Sequence, residues 1–407
     1  MSNLKQYSTQ NVYDAAVERV NYAFDNFKKV YVSFSGGKDS SVMLHLASME
    51  AERRGRKIGV LIIDLEAQYK HTIQHIHEMV EMYRPVMDVY WVCLPLSLRN
   101  AVSNFQPRWC CWEPEARDIW VRELPECEGV ISDPDFFDFF EPRMEFEEFM
   151  VLFGVWYARG ADTCGMVGIR CDESLNRFRT IASDTKEAHN GRRFTTKVAE
   201  NLYNLYPIYD WKTQDIWRFH SKHPSRPHNA VYDLMHQAGL SPHQMRLCQP
   251  YGDDQRRGLW LYHVLEPQTW YRVVARVNGA NSGALYVQES GNATGYSKIH
   301  KPKGHTWRSF CNLLLATLPA STREHYVPVF RKWMLAWKTR GYIDGLPDEA
   351  PRVLENKMWA PSWRRLCKVL LRNDWWCKGL GLTQPKSDAY GRYLELKRKR
   401  KNVGLTK

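Results

Sequence analysis

The sequence predicts an α/β protein, a doubly wound parallel sheet over residues 1–222 followed by a mainly helical region over 223–407. Three observations carry this. Helical spacing alternates with short apolar runs through the N-terminal half. A Gly-Gly turn rich in hydroxyls joins the first apolar run to the next helix, and the alternation stops near residue 222. Strands that alternate with helices pair in parallel, with right-handed crossovers covering both faces.

In chain order, Val12–Phe27 has helical spacing and Val30–Phe34 (VYVSF) is a short apolar strand ending at Ser35-Gly36-Gly37. Asp39–Ala47 resumes the helix period, Ile58–Asp64 (IGVLIID) is a second buried strand, Thr72–Tyr83 is helical and Val86–Cys93 is a third strand. The acidic stretch 113–149, with its FFDFF cluster, interrupts the alternation and reads as an insertion. Helix 145–159 and strand Thr163–Ile169 return to the pattern. Leu205–Ile208, Trp211 and a helix from Thr213 close the domain. Beyond it, helical stretches near 311–318, 324–340 and 362–373 are joined by Gly/Asn/Ser-rich connections such as Asn278–Gly295.

Composition narrows the class. The chain has 407 residues, 44% hydrophobic and 25% charged, which excludes disorder over most of its length. No apolar run reaches the roughly 18 residues of a membrane helix, and the first residues lack the apolar core of a secretory signal. A cytoplasmic protein with no membrane partner is expected. Ten cysteines without a C-x-x-C pair fit reduced thiols in that setting. The net charge of +12 is uneven: +2 over residues 1–112 (13 basic, 11 acidic), −10 over 113–149 (3 and 13) and +20 over 150–407 (41 and 21). The run Lys397–Lys401 (KRKRK) reads either as a solvated terminus or as a contact with a phosphate backbone. Interleaved tryptophans, among them Trp333 and Trp337 on one helical face, add weight to RNA or DNA as a partner of the C-terminal region. The same tryptophans also suit a core.

Ser35-Gly36-Gly37-Lys38-Asp39-Ser40 follows a strand and opens a helix. Two glycines let the backbone turn and approach a ligand without a Cβ between them. Successive N–H groups and the helix N-terminus then favour an anion. Ser35 and Ser40 add hydroxyls, and Lys38 a full charge. The spacing G-x-x-x-x-G-K-[ST] is absent, so this is not a Walker A loop.

SGGKDS after a buried strand resembles the PP-loop of the N-type ATP pyrophosphatases, with an adenine nucleotide alpha hydrolase-like fold. Other segments resemble the phosphoadenosine-phosphosulfate (PAPS) reductase branch. Ile63-Asp64 with Thr72 is similar to the second-strand "D-T-G…T" segment beside the adenosine. Gly168-Ile169-Arg170-Cys171-Asp172-Glu173-Ser174, followed by Arg177, is similar to "G-[IL]-R-x-x-[EQ]-S-x-x-R". Pro207-Ile208-Tyr209-Asp210-Trp211, with Asp215 and Trp217, resembles "P-I-x-D-W-…-D-[IV]-W", and Pro107-Arg108-Trp109-Cys110 resembles an "R-W-C" element. The resemblance covers about residues 25–222, and the whole architecture resembles proteins of the immunoglobulin-binding regulator A type.

The resemblance implies that Ser35, Gly36, Gly37, Lys38, Asp39 and Ser40 bind the phosphates of ATP or a related adenine nucleotide, with Asp64, Arg170, Arg177 and Asp210 completing the site. Lys38, Asp39, Arg170 and Glu173 are the expected catalytic set. Mg²⁺ is the expected counterion of a triphosphate; Asp39 either meets it or serves as a helix-starting residue. Glu173 either orients Arg170 or an acceptor, or begins a helix. Cys110, Cys111 and Cys248, with Cys164 and Cys171, read as buried inert thiols or as an iron–sulfur or redox site. His71, His75 and His77 lack an H-E-x-x-H pattern and read as ordinary histidines.

The expected function is activation of a second substrate by adenylylation with pyrophosphate release, on nucleic acid as one acceptor. PAPS or adenylyl-sulfate reduction is the alternative, although the E-C-G-[LI]-H segment of those reductases does not occur here. A third reading is a nucleotide-dependent regulator that acts with a protein partner and without turnover.

Overall fold

The apolar run after the first helix becomes the central strand of a seven-stranded sheet. The computed structural model describes residues 9–183, 186–252, 259–280 and 299–382. The chain divides into two units, one built from the chain up to Leu96 and from Cys111 to Leu247, the other from Ser97–Cys110 and the chain from Cys248 onward.

In the first unit, α1 (Val12–Asn26) starts at Asn11, whose side-chain oxygen accepts from the Asp14 N–H at 2.9 Å. That satisfies one donor a helix start leaves open. β1 (Lys29–Ser33), α2 (Lys38–Arg54), β2 (Ile58–Ile63), α3 (Lys70–Tyr83) and β3 (Met87–Val92) follow where the periodicity predicts them. Helix α2 runs past Ala47 through good helix formers and stops at Gly55, whose φ of 59° suits glycine. β4 (Ser97–Arg99) and β5 (Arg108–Cys110) belong to the second unit. The first unit resumes with β6 (Val130–Ile131), α4 (Phe146–Ala158), β7 (Thr163–Met166), α5 (Leu175–Ala182), β8 (Thr195–Ala199), β9 (Leu202–Leu205), α6 (Thr213–Lys222) and α7 (Val231–Gln237).

The sheet order is β6-β3-β2-β1-β7-β9-β8. Every pair is parallel except β8–β9. The chain therefore leaves β1 toward β2 and later returns to its other side at β7. That makes the C-terminal ends of β1 and β7 the topological switch point, where an open α/β sheet places ligands. The acidic stretch 113–149 is partly woven into this sheet. Val130 and Ile131 pair with Trp91 and Val92, and Phe137 lies 5.4 Å from Phe149 and 4.8 Å from Trp156 of α4. β8 carries no apolar run, because an edge strand packs only one face.

In the second unit, β4 and β5 pair antiparallel. Its helices among the described residues are α8 (Leu259–Leu265), α9 (Pro267–Arg276), α10 (Trp307–Thr317), α11 (Ala320–Lys338), α12 (Arg352–Asn356) and α13 (Trp363–Leu371). Thr306 and Ser362 cap α10 and α13. Trp333 and Trp337 share one face of α11, as their spacing predicts, and pack with Trp307, Phe330, Leu366 and Leu370 in this unit's core. Lys397–Lys401 and most of the 278–295 connection lie outside the described residues. Among the described residues no helix is long and apolar enough to cross a membrane.

Candidate functional site

The loop between β1 and α2 turns because Gly36 takes φ 70° and Gly37 then enters the helix in extended conformation. Its hydroxyls brace it. The Ser40 Oγ accepts from the Ser35 N–H (3.3 Å), lies 3.1 Å from the Ser35 Oγ and donates to the Gly37 carbonyl (3.0 Å). Ser41 also donates to that carbonyl (2.9 Å), and its Oγ lies 2.8 Å from His75 Nε2. Burial pushes His75 down to about 4, so its ring is neutral near pH 7.

The β7 end comes to the same place. A Cβ on Gly168 would stand 3.4 Å from the Asp39 carbonyl carbon and the Ser40 nitrogen, so the G-I-R segment packs directly on the first turn of α2. Arg170 is 2% exposed; its Nε donates to Asp39 Oδ1 (2.5 Å) and its Nη1 to Asp172 Oδ1 (2.7 Å). Glu173 accepts from the Arg170 N–H (3.3 Å) and pairs with Arg177, while Ser174 caps α5. Glu173 Oε1 also lies 3.7 Å from Arg170 Nη2. Lys38, 6% exposed, lies 3.2 Å from Asp39 Oδ2, and its Nζ donates to the Met245 carbonyl at 3.3 Å. One carboxylate, Asp39, is thus shared by two buried cations.

Asp39 was expected to start the helix or meet Mg²⁺. Its position in the first turn of α2 suits the helix macrodipole. Its two carboxylate oxygens face Arg170 and Lys38.

Three residues of the site were not anticipated. Asn229 donates to the Gly36 carbonyl and to Thr72 Oγ1, both at 2.9 Å, and accepts from the Val231 N–H at 3.0 Å. The Tyr232 hydroxyl accepts from the Lys38 N–H at 3.0 Å. With Met245 they belong to the part of the first unit that continues past 222. No local motif marks them, since their partners lie about 200 positions earlier in the chain.

The remaining expected residues have partners inside the fold. Asp64, fully buried, accepts from the Glu66 N–H and from Trp91 Nε1, both at 2.9 Å, and pairs with Arg122. Asp210 makes a bidentate pair with Arg19 of α1, 2.7 Å on each arm, and Trp211 donates to the Val12 carbonyl. The P-I-x-D-W segment therefore clamps α1. At its other end the Trp211 carbonyl and Thr213 hydroxyl accept from Arg170 (3.5 and 3.4 Å).

Cys111 is buried, and its thiol donates to the Leu94 and Leu96 carbonyls (3.5 and 3.6 Å). Cys110 is buried in β5 and Cys248 is exposed. Among the described residues no three His, Cys, Asp or Glu side chains gather as a metal or cluster site.

Residues 29–113 match the family described as Phosphoadenosine phosphosulfate reductase domain, and residues 239–359 match Domain of unknown function (DUF3440). The chain is 42% identical over 405 residues to "Uncharacterized protein YbdN" of Escherichia coli (strain K12), covering 97% of this chain and 96% of that protein. It is 24% identical over 220 residues to "Uncharacterized protein MJ0066" of Methanocaldococcus jannaschii, covering 54% and 36%. Among solved structures, the phosphoadenylyl-sulfate (PAPS) reductase of Candida auris matches with TM-score 0.32 and 14% identity, over 57% of this chain and 94% of that one. The FMN adenylyltransferase of Candida glabrata with FMN and AMPCPP matches with TM-score 0.28 and 15% identity, over 53% and 58%. On its identity along almost the whole length of YbdN, the chain belongs to that protein's family, which joins a PAPS reductase domain of the PP-loop ATP pyrophosphatase superfamily to DUF3440.

Proposed function

We propose that the phosphate loop binds ATP or a related adenylyl nucleotide, and that the protein transfers the adenylyl group to a second substrate with release of pyrophosphate. The observation that carries this is the gathering of buried Lys38 and Arg170 on Asp39, at the N-terminus of α2 and the switch point of the sheet. A phosphate entering there meets the glycine turn and the positive end of a helix, and draws the Lys38 N–H from Tyr232 and the Lys38 ammonium from the Met245 carbonyl. In the reaction the acceptor attacks the α-phosphorus and the bond to the β-phosphate oxygen breaks. Charge develops on the departing pyrophosphate, where Lys38 and the amides stabilise it. Arg170, held by Asp39, Asp172 and Glu173, positions this set.

Pyrophosphate release on addition of ATP and candidate acceptors tests the reading. Lys38→Ala should lower the rate by about 100-fold or more, in line with the loss of one charge-stabilising donor. Unchanged release in that variant would sink it.

A second reading, sulfonucleotide reduction, is favoured by the PAPS reductase match over residues 29–113. It requires Cys110 or Cys111 as nucleophile, and the burial of both thiols supports adenylyl transfer instead. Sulfite formed from PAPS with a thioredoxin-type donor, and lost in Cys110→Ser or Cys111→Ser, would select reduction. Nucleotide-dependent binding without turnover would select the regulator.

A further inference from the structure

The second unit holds a cavity of about 670 Å³ on one side of α11. Its walls include Trp333, Trp337, Trp375 and Trp376, and its charged residues are Lys332 and Arg340, with no Asp or Glu among the described lining residues. The size falls within the roughly 300–1,000 Å³ usual for ligand pockets. Lys332 and Ala336 stand at four-residue spacing on one face of α11, beside Trp333 and Trp337, and Arg340 follows two residues past the helix end. The Arg340 guanidinium lies 5.0 Å from the centroid of the Trp337 ring. The two cations thus belong to different parts of the lining, Lys332 on the helix and Arg340 beyond it.

The wall is also stiff. The His325 ring stacks on Trp375 at 3.6 Å between centroids and 3° between planes, and its Nε2 lies 2.8 Å from the Trp375 carbonyl. Trp333 Nε1 donates to the Leu380 carbonyl at 3.1 Å. Trp375 is covered by His325, with Arg99 4.8 Å from its centroid, and Trp333 and Trp337 are buried, so half-buried Trp376 is the indole of this wall that suits a flat ring, beside the exposed Lys332 and Arg340. A nucleobase in a phosphodiester strand offers such a ring between negative charges, and only an unpaired base can present its face to an indole.

We infer that this cavity takes a base of single-stranded nucleic acid, with Lys332 and Arg340 on the flanking phosphates. The charge of the chain points the same way, since residues 150–407 carry 41 basic and 21 acidic side chains. The site belongs to the second unit and the phosphate loop to the first, and its occupancy does not depend on nucleotide turnover.

The test uses the full chain without nucleotide and a fluorescein-labelled 12-mer of oligothymidylate, with binding followed by anisotropy from low to moderate salt. Lys332→Glu/Arg340→Glu should weaken binding at least tenfold. Removing two phosphate contacts should also make the salt slope shallower by about 1.4. Trp376→Ala, at a half-buried position, should weaken binding about fivefold or more through lost stacking. A chain with Lys397–Lys401 replaced by Gln should keep most of the effect of the double variant. The inference is overturned if the wild-type chain does not bind the oligonucleotide at 50 mM salt, or if the double variant binds as wild type while the Gln-substituted tail abolishes binding. It is also overturned if a 12-bp duplex binds as tightly and Trp376→Ala changes nothing. Because the assay contains no nucleotide, a negative result here leaves pyrophosphate release unaffected, and the converse also holds.

Discussion

Replacing Asn229 with Ala is the sharpest test of how the phosphate loop is held. The side chain is fully buried and makes three hydrogen bonds, to the Gly36 carbonyl, to Thr72 Oγ1 and from the Val231 N–H. Each such bond contributes about 0.5–1.5 kcal/mol net, and a buried partner left alone costs about 1–3 kcal/mol. Thr72 can turn its hydroxyl elsewhere, whereas the Gly36 carbonyl and the Val231 N–H are backbone groups with fixed directions. The expected loss is therefore about 3 kcal/mol for the first unit. For a unit of this size that corresponds to a fall of about 6–12 °C in its melting temperature. The assay is thermal unfolding followed by near-ultraviolet circular dichroism, reading the transition of the first unit separately because two units need not melt together. Asn229→Asp is the companion variant. It keeps the acceptor for Val231 but turns a carboxylate toward the Gly36 carbonyl, and should destabilise at least as much as Ala. A shift below about 2 °C in both would refute the view that this side chain ties the segment after 222 to the loop.

Further outcomes follow from the same geometry. Gly36→Ala forces φ 70° on an L residue and sets its Cβ 2.9 Å from Thr72 Cγ2 and 3.1 Å from Ile76 Cγ1, so a loss of about 2–4 kcal/mol is expected from urea unfolding; a midpoint equal to wild type would contradict it. Burial lowers His45 to about 3, His75 to about 4 and His220 to about 4 from an ordinary 6.5. The unfolded chain then binds more protons between those values, so stability is full above pH 6.5 and is lost as pH falls toward 4. The slope reaches at most about 4 kcal/mol per pH unit for three such groups. A flat stability profile between pH 7 and 5 would rule this out. Asp39→Asn removes the carboxylate between Lys38 and Arg170, while Asp172 and Glu173 still compensate Arg170. A fall of about 1–3 kcal/mol is expected, below the full cost of a stranded buried charge. Calorimetry should show an ATP analogue binding at least as tightly, and a marked loss of affinity would mean that Asp39 contacts the nucleotide or its counterion.

Much of the first unit was legible because its determinants are local. A short, mostly apolar β-strand, two glycines and a helix with polar first-turn residues dictate the phosphate loop within ten positions. The order of strands and helices then restricts the topology to a few right-handed choices. The Arg170 motif was legible as a sequence of residue types, and its carboxylate partners at 172 and 173 are its own near neighbours. β8 was missed because an edge strand does not need a continuous apolar run. The weave of 113–149 into the sheet was missed because a two-residue strand leaves no periodicity to read.

The chemistry of the loop, its glycines, hydroxyls and lysine, and the split of charge into a nearly neutral start and a basic remainder were settled by the sequence itself, because each depends on composition or on spacing along the chain. What each carboxylate faces was decided only by the tertiary structure. Asp64 and Asp210 turn to Trp91, Arg122 and Arg19, whereas Asp39 gathers Lys38 and Arg170. The same holds for Asn229 and Tyr232, which reach the loop across nearly 200 residues. A buried polar group must find its partner wherever the packed core brings one, and that distance is not written in the local pattern.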